Sequence, residues 1–342
     1  MQKRYLIFGG TGSLGKILTK RLLDLGFFVC SFSRDEAKHV EYRKLFPNKK
    51  LVQSIMGDIR DYNAVYDAIR KINPHYIIIA SALKNIPETE EFPSESIKTN
   101  ILGTENVLNA ADILSVNIPH KLKILFVSTD KACSPVNSYA FCKALGERLT
   151  IRKNGNNILT NCVRYGNVLE SRGSVIPFFK YLIENDKNIT VTDANMTRFF
   201  LSLNESVDLI FTALKDSEGG KVFIPKVRSG RIIDLAEILN EESLSSLPIE
   251  IMGIRPGEKL HESLISKEEM LRTEDCGSSV VIHDIMKEPQ KYKCDFLNGI
   301  SEYSSNCEAI CLQKEDFRKF LKERGVLEQF HVIAKINAGV LS

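Results

Sequence analysis

The chain has 342 residues, 43% of them hydrophobic, and is long enough to bury a large core in one α/β domain or two interwoven ones. Lys and Arg total 46 against 43 Asp and Glu, a formal net charge of +3, which argues against nucleic acid or an anionic membrane as a partner. Eight cysteines without a CxxC pair, and no apolar stretch near the roughly 20 residues of a membrane span, predict a cytoplasmic protein with reduced thiols and no metal site.

Short apolar segments alternate with amphipathic segments in the first half of the chain. The apolar segments predict strands at 5–8, 27–32, 51–55, 76–80, 123–127 and 158–163. The amphipathic segments predict helices at 14–25, 61–72, 94–116 and 137–153, the third with Ser94 as its N-cap. This alternation is typical of the α/β class, and we predict a Rossmann-like, doubly wound parallel sheet.

The alternation is less regular beyond residue 168. The pattern predicts a helix near 174–184, a strand near 197–203, a helix near 204–214, a strand near 221–225, a turn-rich region over 266–312 and a helical pattern over 313–338. We therefore expect a smaller mixed α/β substrate-binding lobe over the carboxyl ends of the strands. The predicted division is 1–168 for the dinucleotide-binding Rossmann domain, with a return near 196–226, and 169–195 with 227–342 for the lobe and C-terminal tail.

A glycine-rich segment, residues 9–15, follows the first predicted strand and opens the first predicted helix. Glycines allow backbone N–H groups to approach a pyrophosphate, which the helix N-terminus then stabilises. A glycine trio alone is a weak signal, but its place between a strand and a helix favours dinucleotide binding over a structural turn. The expected contacts are Gly9, Thr11, Gly12, Ser13, Leu14 and Gly15.

The end of the second predicted strand indicates which dinucleotide binds. NAD enzymes usually have an acidic residue there, whereas this chain has Ser33 and Arg34, which suit a 2′-phosphate. We predict NADP, with the adjacent Asp35 as the residue that argues against it. Later segments add the expected cofactor contacts Asp58, Ile59, Ala80, Ser81, Ala82, Lys84, Asn100 and Tyr165, each of which alone is more often part of a turn or core.

Candidate catalytic residues follow the fifth predicted strand. Thr129, Asp130 and Lys131 end that strand, and Tyr139 and Lys143 lie on the next helix. Residues i and i+4 share a helix face, so we expect Lys143 to lower the pKa of Tyr139 and to bind the nicotinamide ribose. Tyr139 can then act as a base toward a hydroxyl group. Alone, a Tyr-x-x-x-Lys pattern is usually surface chemistry, but its position here favours catalysis.

These motifs, in this order, resemble the extended short-chain dehydrogenases/reductases, and within them the UDP-N-acetylglucosamine 4,6-dehydratases that invert C5. The likeness covers residues 4 to about 265. The segments that carry it are 9–15, 33–36, 57–61, 97–100, 128–133, 137–143, 164–168, 171–177, 192–193, 196–199 and 253–262, with a fainter match at 303–305.

The resemblance implies a catalytic role for Asp130-Lys131. Dehydratases acting on dTDP-glucose have Thr-Asp-Glu at this point, and sugar epimerases usually lack the pair. By resemblance, Lys131 removes the C5 proton after C4 is oxidised, and Asp130 protonates the departing C6 hydroxyl. Reprotonation of C5 from the opposite face would give the L sugar. The alternative is a simple surface salt bridge of little energetic worth.

The resemblance also implies substrate contacts from Lys84, Asn167, Arg172, Ser174, Val175, Arg198, Arg255 and Glu258. Arginine suits the two phosphates of a nucleotide sugar, although an isolated Arg is more often a surface charge. His261 is expected to be structural. The chain departs from the family at Asn85, where a histidine is usual, and at Phe141, where a glycine is common, so we expect Phe141 to add bulk near the site.

Three functions remain open from the sequence. The first is a 4,6-dehydratase of UDP-N-acetylglucosamine in glycan biosynthesis, with C5 inverted or retained. The second is a nucleotide-sugar 4-epimerase or 4-ketoreductase, which would need Tyr139 and Lys143 but not Asp130-Lys131. The third is a non-catalytic NADP sensor, which the intact Tyr139 and Lys143 disfavour. The family also implies a homo-oligomer such as a hexamer.

Overall fold

The computed structural model describes residues 2–169, 171, 173–286 and 292–337. The strands in chain order are β1 Arg4–Phe8, β2 Phe28–Ser33, β3 Val52–Met56, β4 Tyr76–Ile79, β5 Leu122–Val127, β6 Ile158–Val163, β7 Asn167–Val168, β8 Ile189–Val191, β9 Thr197–Leu201, β10 Lys221–Pro225, β11 Arg228–Arg231, β12 Ile249–Ile251, β13 Ser263–Ile265, β14 Thr273–Cys276, β15 Ser279–His283 and β16 Tyr303–Ser304.

The helices alternate with these strands. They are α1 Ser13–Asp24, α2 Glu36–Leu45, α3 Tyr62–Ile72, α4 Ile86–Glu91, α5 Pro93–Ser96, α6 Gly103–Ser115, α7 Ser138–Arg152, α8 Val175–Glu184, α9 Leu203–Lys215, α10 Ile232–Glu242, α11 Lys267–Met270, α12 Lys314–Glu323 and α13 Glu328–Asn337. A π-helical turn, Ile97–Leu102, joins α5 to α6, and 3-10 turns occur at Asp130–Ala132 and Asp295–Leu297. No helix in these described ranges has the length and apolar character needed to cross a membrane.

A nine-stranded sheet in the order β14-β15-β10-β6-β5-β4-β1-β2-β3 forms the centre of the fold. Neighbouring strands from β3 to β10 are parallel, and the β14–β15 hairpin adds to β10 antiparallel. The order reverses between β1 and β4, so the connections on either side of that point cross opposite faces of the sheet. The predicted Rossmann-like, doubly wound α/β fold is confirmed.

Burial on both faces explains why the central strands are apolar throughout. In β1, Leu6, Ile7 and Phe8 have no exposed surface, and Ile78 and Leu125 in β4 and β5 have none either. Such strands cannot show the alternating polar pattern of a half-buried strand. Their carboxyl ends meet where the strand order reverses, which is the usual ligand-binding position of an open α/β sheet.

A second hydrophobic core lies apart from the main one and is formed by α8, α10, α12, α13 and the short strands near them. Its largest buried side chains include Phe179, Phe200, Leu235, Phe317 and Phe330. The separate core agrees with a smaller lobe built from the second half of the chain, and the exact division into two units remains a prediction.

Several elements differ from the sequence-based expectations. The prediction of Ser94 as the N-cap of a helix over 94–116 is wrong, because α5 begins at Pro93 with Phe92 as its N-cap and the π-helical turn separates α5 from α6. Helix α2 was not predicted, because only His39 and Tyr42 of its ten residues are buried and the pattern is mostly charged. The region expected to be turn-rich over 266–312 contains the β14–β15 hairpin. Strand β14 is an edge strand with polar residues, so it shows little apolar pattern, whereas β15 is buried at all five positions.

Candidate active site

A cleft of about 480 Å³ opens at the carboxyl ends of β1, β4 and β5. Most of the predicted cofactor and catalytic residues share this surface. Those that line it are Gly9, Thr11, Gly12, Ser13, Leu14, Gly15, Ser33, Arg34, Ile59, Ala80, Ser81, Ala82, Lys84, Thr129, Tyr139, Lys143 and Tyr165. The structure therefore brings together residues from widely separated segments of the chain.

The glycine-rich turn packs too closely against neighbouring backbone to carry side chains at Gly9 and Gly15. Gly9 has φ +86°, and a Cβ there would lie 2.8 Å from the Ser81 nitrogen. A Cβ on Gly15 would lie 2.3 Å from the Gly10 carbonyl oxygen, so this helix residue must also be glycine. Gly12 occupies the N-cap position of α1, and no side chain caps that helix end. Backbone N–H groups at the start of α1 are thus available to an anion such as a pyrophosphate.

Asp35, the acidic residue that follows β2, caps helix α2. Asp35 is the N-cap of α2, and its carboxylate accepts a hydrogen bond from the Lys38 backbone N–H at 3.0 Å. The Lys38 ammonium lies 2.8 Å from the same carboxylate. Ser33 and Arg34 line the cleft beside it, and the Arg34 guanidinium is 3.7 Å from Asp58. This end of the cleft therefore carries the Ser33 hydroxyl and two cations, Arg34 and Lys38, together with the Asp35 carboxylate. An arginine at this position suits a phosphate.

Asn100 lies behind the cleft and is absent from its lining. It is 1% exposed, and its amide pairs with both backbone groups of Leu83 at 2.8 Å while also donating to Ser96. The π-helical turn that carries Asn100 places it against this loop. Asn100 therefore holds the segment with Ala82 and Lys84, which line the cleft. Partial burial also lowers the pKa of Lys84 below its usual value.

Tyr139 lies on the first turn of α7 with only 9% of its surface exposed. Burial raises the pKa of Tyr139 to about 12, and the nearby Asp130 adds to this effect. The Lys131 ammonium and the Thr129 hydroxyl oppose it. The groups that stabilise a Tyr139 phenolate therefore come from the loop after β5.

Lys143 lies one helical turn from Tyr139, but its ammonium group points elsewhere. Its Nζ donates a hydrogen bond to the Val127 carbonyl and lies 4.1 Å from the ring centroid of Phe126. Burial lowers the pKa of Lys143 to about 8. In this structure Lys131 is a cation that lowers the pKa of Tyr139, and the effect expected of Lys143 stays a prediction.

Asp130 and Lys131 form a buried pair on the 3-10 turn. Oδ1 of Asp130 accepts hydrogen bonds from Lys131 Nζ at 3.1 Å and from the Thr129 hydroxyl at 3.0 Å. Oδ2 is buried and has no hydrogen-bond partner within the described ranges. A Cβ added to Gly166, which lines the cleft, would lie 3.2 Å from this Oδ2. Burial, and to a lesser extent Glu262, raise the pKa of Asp130 above its ordinary value, whereas Lys131 and the Thr129 hydroxyl act in the opposite direction.

Glu262 completes this group, although the sequence analysis assigned it no role. It is 2% exposed, with Oε1 3.4 Å from Lys131 Nζ and Oε2 3.1 Å from Lys259 Nζ. The segment 253–262 carried the family resemblance, yet only Arg255 and Glu258 were selected from it. The contact with Lys131 depends on tertiary structure, so no local pattern indicates it.

Arg198 is directed into the protein. Its guanidinium donates to the carbonyls of Lys259 and Leu260 at 2.9 and 3.0 Å and lies 3.7 Å from Glu258. Arg255 is exposed, and its backbone N–H donates to the Glu258 carboxylate at 3.4 Å. Arg198 thus orders the segment that presents Arg255 and Glu258, and its contacts are those of a positioning residue.

The other predicted substrate contacts that the structure describes do not line the cleft, although their chain neighbours Gly166, Val168 and Ser171 do. Asn167 is in β7, Ser174 is the N-cap residue of α8, and Val175 begins that helix and packs against the second core. The Ser174 hydroxyl is buried without a hydrogen-bond partner in the part of the chain that the structure describes. Arg172 lies outside the described residues.

Two predictions about individual side chains have clear outcomes. Phe141 is 54% exposed and does not line the cleft, so the expected bulk near the site is absent. It lies two residues beyond Tyr139, on a different face of α7. His261 behaves as expected for a structural residue, because its Nδ1 lies 2.9 Å from the Thr197 hydroxyl.

Comparison with known proteins gives consistent matches. A family model described as "Polysaccharide biosynthesis protein" matches residues 5–284. A Rickettsia bellii (strain OSU 85-389) protein named UDP-glucose 4-epimerase is 42% identical over 287 residues, covering 81% of this chain and 82% of the relative. The X-ray structure of Pen from Bacillus thuringiensis superposes with a TM-score of 0.85 at 33% identity, covering 95% of this chain and 98% of Pen.

A more distant structure shares the fold. DesIV, a dTDP-glucose 4,6-dehydratase from Streptomyces venezuelae with NAD bound, superposes with a TM-score of 0.66 at 18% identity over 75% of this chain and 86% of DesIV. Proteins similar to this chain therefore include nucleotide-sugar epimerases and dehydratases.

Proposed function

Because the chain belongs to the polysaccharide biosynthesis protein family and has the extended short-chain dehydrogenase fold, we propose that it is an NADP-dependent 4,6-dehydratase. We further propose UDP-N-acetylglucosamine as the substrate and inversion at C5, giving a UDP-4-keto-6-deoxy-L sugar. The proposal includes a cytoplasmic homo-oligomer that supplies this sugar for glycan synthesis.

The observation that carries the proposal is the buried contact between Asp130 and Lys131 beside Tyr139. A 4-epimerase or ketoreductase needs a base at O4, a role that Tyr139 can fill. Elimination of water across C5 and C6 needs two further groups, a base for the C5 proton and an acid for the C6 hydroxyl. The Lys131 amine can serve as the base and the Asp130 carboxyl group as the acid, and the two lie 3.1 Å apart. Oδ2 of Asp130 has no hydrogen-bond partner among the described residues.

The cleft suits a nicotinamide dinucleotide, because its glycine turn cannot accommodate side chains at Gly9 and Gly15 and α1 begins without a side-chain cap. When bound, NADP would supply the oxidant for C4 and the reductant for C6. The residues proposed to hold it are Gly9, Thr11, Gly12, Ser13, Leu14, Gly15, Ser33, Arg34, Asp58, Ile59, Ala80, Ser81, Ala82, Lys84, Tyr139, Lys143 and Tyr165, with Asn100 behind them. The preference for NADP over NAD rests on Arg34 and on the capping role of Asp35.

The protein side chains would move three protons. Tyr139 takes the O4 proton when C4 becomes a ketone, which makes the C5 proton acidic. Lys131 then takes the C5 proton, the C6–O bond breaks, and Asp130 donates the proton with which the hydroxyl leaves as water. Hydride returned to C6, which the bound cofactor would supply, and a solvent proton added to C5 from the opposite face would complete the product. Thr129 would orient Asp130 during these steps, because its hydroxyl donates a hydrogen bond to Asp130 Oδ1.

The nucleotide would be held by the lobe. We propose that Arg255, Glu258, Asn167, Ser174, Val175 and Arg172 contact the UDP and sugar together with Lys84. Arg198 would act through the 259–260 segment, because its N–H groups are engaged by backbone carbonyls.

A second candidate, a nucleotide-sugar 4-epimerase, is favoured by one finding. Relatives at 41–42% identity are named UDP-glucose 4-epimerase. Tyr139, Thr129 and Lys143 would suffice for that reaction, and Asp130 and Lys131 would then serve only as a buried ion pair. The two functions differ in whether C6 loses its hydroxyl group.

The test is to incubate the protein and NADP with UDP-N-acetylglucosamine in deuterated water and to analyse the product by NMR. We expect a new C6 methyl group, deuterium at C5 and L geometry at that carbon. A C6 methyl with D geometry would support a retaining dehydratase. A product that keeps its C6 hydroxyl and differs only at C4 would replace the proposal with the epimerase, for which UDP-glucose is the matched substrate.

A further inference from the structure

We propose that Glu262 is the positioning residue of Lys131, holding its amino group beside Asp130 and placing a second carboxylate next to it. The inference rests on the proposed dehydration for its catalytic meaning. The contact between the two side chains stands independently of that function.

The anchoring of Glu262 is the first support. Its backbone N–H donates to the Ser305 hydroxyl at 3.0 Å, and its carbonyl accepts from the Ser305 N–H at 2.8 Å. The Ser305 hydroxyl also lies 2.7 Å from that of Thr197 on β9. Glu262 is therefore fixed at the start of β13 by two other parts of the chain, and its carboxylate has a defined position.

The geometry around Lys131 is the second support. Its Nζ lies 3.1 Å from Asp130 Oδ1 on one side and 3.4 Å from Glu262 Oε1 on the other, and 17% of its side chain is exposed. Asp130 adjoins Lys131 in the chain, so among the described residues it is the Glu262 ion pair that connects the amino group to the lobe. The Lys259 ammonium lies 3.1 Å from the other Glu262 oxygen and donates to the Cys133 carbonyl at 2.9 Å. The segment 259–262 thus contacts the loop after β5 at two residues, Lys131 and Cys133.

Charge balance is the third support. Burial alone lowers the pKa of Lys131, but Asp130 and Glu262 raise it above its usual value. Burial conversely raises the pKa of Glu262, but Lys131, Arg198 and Lys259 lower it below its usual value. The titratable and charged groups that face Lys131 are Asp130, Glu262, Arg198 and Tyr139. Glu262 thus places a second carboxylate beside the ammonium group, opposite Asp130.

An ammonium group cannot act as a base, so Lys131 must lose a proton to solvent before it can accept the proton from C5. Glu262 would therefore set the pH at which dehydration begins, and wild-type dehydration should rise with pH. Substituting the carboxylate with an amide should release the amine at lower pH.

The test uses Glu262→Gln in the full-length protein saturated with NADP. Lysine is labelled with ¹³C at Cε, and the Lys131 signal is identified by its loss in Lys131→Arg. We expect the titration of Lys131 to move at least one pH unit lower in Glu262→Gln. Glu302→Gln is the matched control, because Glu302 accepts a hydrogen bond from Ser263, the next residue after Glu262, and no contact joins it to Lys131 in the described structure. An unchanged Lys131 titration would overturn the proposal.

A second readout separates positioning from a purely structural role. In Glu262→Gln we expect the dehydration rate to begin rising at lower pH, by the same shift as the Lys131 titration. In Glu262→Asp, which keeps a carboxylate, the rise should occur at the wild-type pH. A uniform loss of kcat at every pH, with the limb unmoved, would contradict the inference. Glu262→Met provides a second neutral variant in case the amide disturbs folding. If the wild type forms no dehydrated product, the proposed function fails, whereas the NMR titration still decides the role of Glu262.

Discussion

The Asp35 carboxylate accepts a hydrogen bond from the Lys38 backbone N–H, 3.0 Å away, and so caps the helix that begins one residue later. An acidic residue at this place in the chain would ordinarily be assigned to a ribose hydroxyl. Here the carboxylate is engaged by α2 and by the Lys38 ammonium at 2.8 Å. Asp35 and the neighbouring Arg34 both line the cleft, and Arg34 is the cation that suits a phosphate there.

Arg34→Ala should therefore weaken NADP binding and spare NAD. A charge-assisted contact is worth about 1.5–3 kcal/mol, which corresponds to about 10- to 100-fold in the dissociation constant. Titration of both dinucleotides followed by fluorescence or calorimetry measures this. Arg43→Ala on α2 is the control, because Arg43 contacts Ser54 rather than the cleft. Equal loss of NAD and NADP affinity, or tighter NAD binding by the wild type, would contradict the NADP preference.

Lys131→Ala should abolish loss of the C6 hydroxyl while NADP binding remains intact. The amine is the proposed C5 base, and loss of such a group costs about 10²- to 10⁴-fold. Product formation by NMR and NADP titration give the two readouts. Lys98→Ala, which removes an exposed lysine paired with Glu95, should leave both unchanged. Dehydration at the wild-type rate would remove Lys131 from the mechanism.

Gly166→Ala should destabilise the protein and impair the site together. A Cβ at this position would lie 2.5 Å from the Phe199 Cβ and 3.2 Å from Asp130 Oδ2. Overpacking of this kind costs about 1–3 kcal/mol. Urea unfolding measures the change in free energy of unfolding. Gly155→Ala is the control, because a Cβ there meets only the Lys153 carbonyl oxygen at 4.0 Å. Equal stability of the two variants would show that the backbone yields easily at Gly166.

The Arg164 guanidinium bridges two buried carboxylates. Its Nη2 lies 2.6 Å from Glu147 Oε2, and its Nη1 lies 2.7 Å from Glu269 Oε2. Burial alone would raise the pKa of Glu269, but Arg164 lowers it to about 2. A carboxylate with a lowered folded-state pKa stabilises the fold above its unfolded pKa of about 4.3, and this stabilisation is lost as pH falls toward 2.

Glu269→Gln should accordingly lower the free energy of unfolding at pH 7 by about 3 kcal/mol, since it leaves a buried guanidinium with one partner. It should also reduce the loss of stability between pH 4 and 2. Denaturant unfolding across this range tests both effects, with Glu268→Gln as the adjacent control. Parallel pH curves for the wild type and Glu269→Gln would assign the acid sensitivity to other groups.

Local signals account for most of what could be predicted. The glycine turn lies between a strand and a helix, and Tyr139 and Lys143 share one helix, so their relation follows from chain spacing alone. Helix α2 and strand β14 escaped prediction because their polar residues carry no apolar period. The directions of the Phe141 and Arg198 side chains could not be predicted either, because tertiary packing decides them.

Local patterns were enough to predict the doubly wound sheet, the glycine-rich turn and the position of Asp130 and Lys131 at a strand end, because hydrophobic period and glycine placement act over a few residues. The contact of Glu262 with Lys131, that of Asn100 with Leu83 and that of Lys143 with Val127 became known from the folded chain alone. Such contacts depend on which distant surfaces pack together and exclude water, and those are properties of the whole fold.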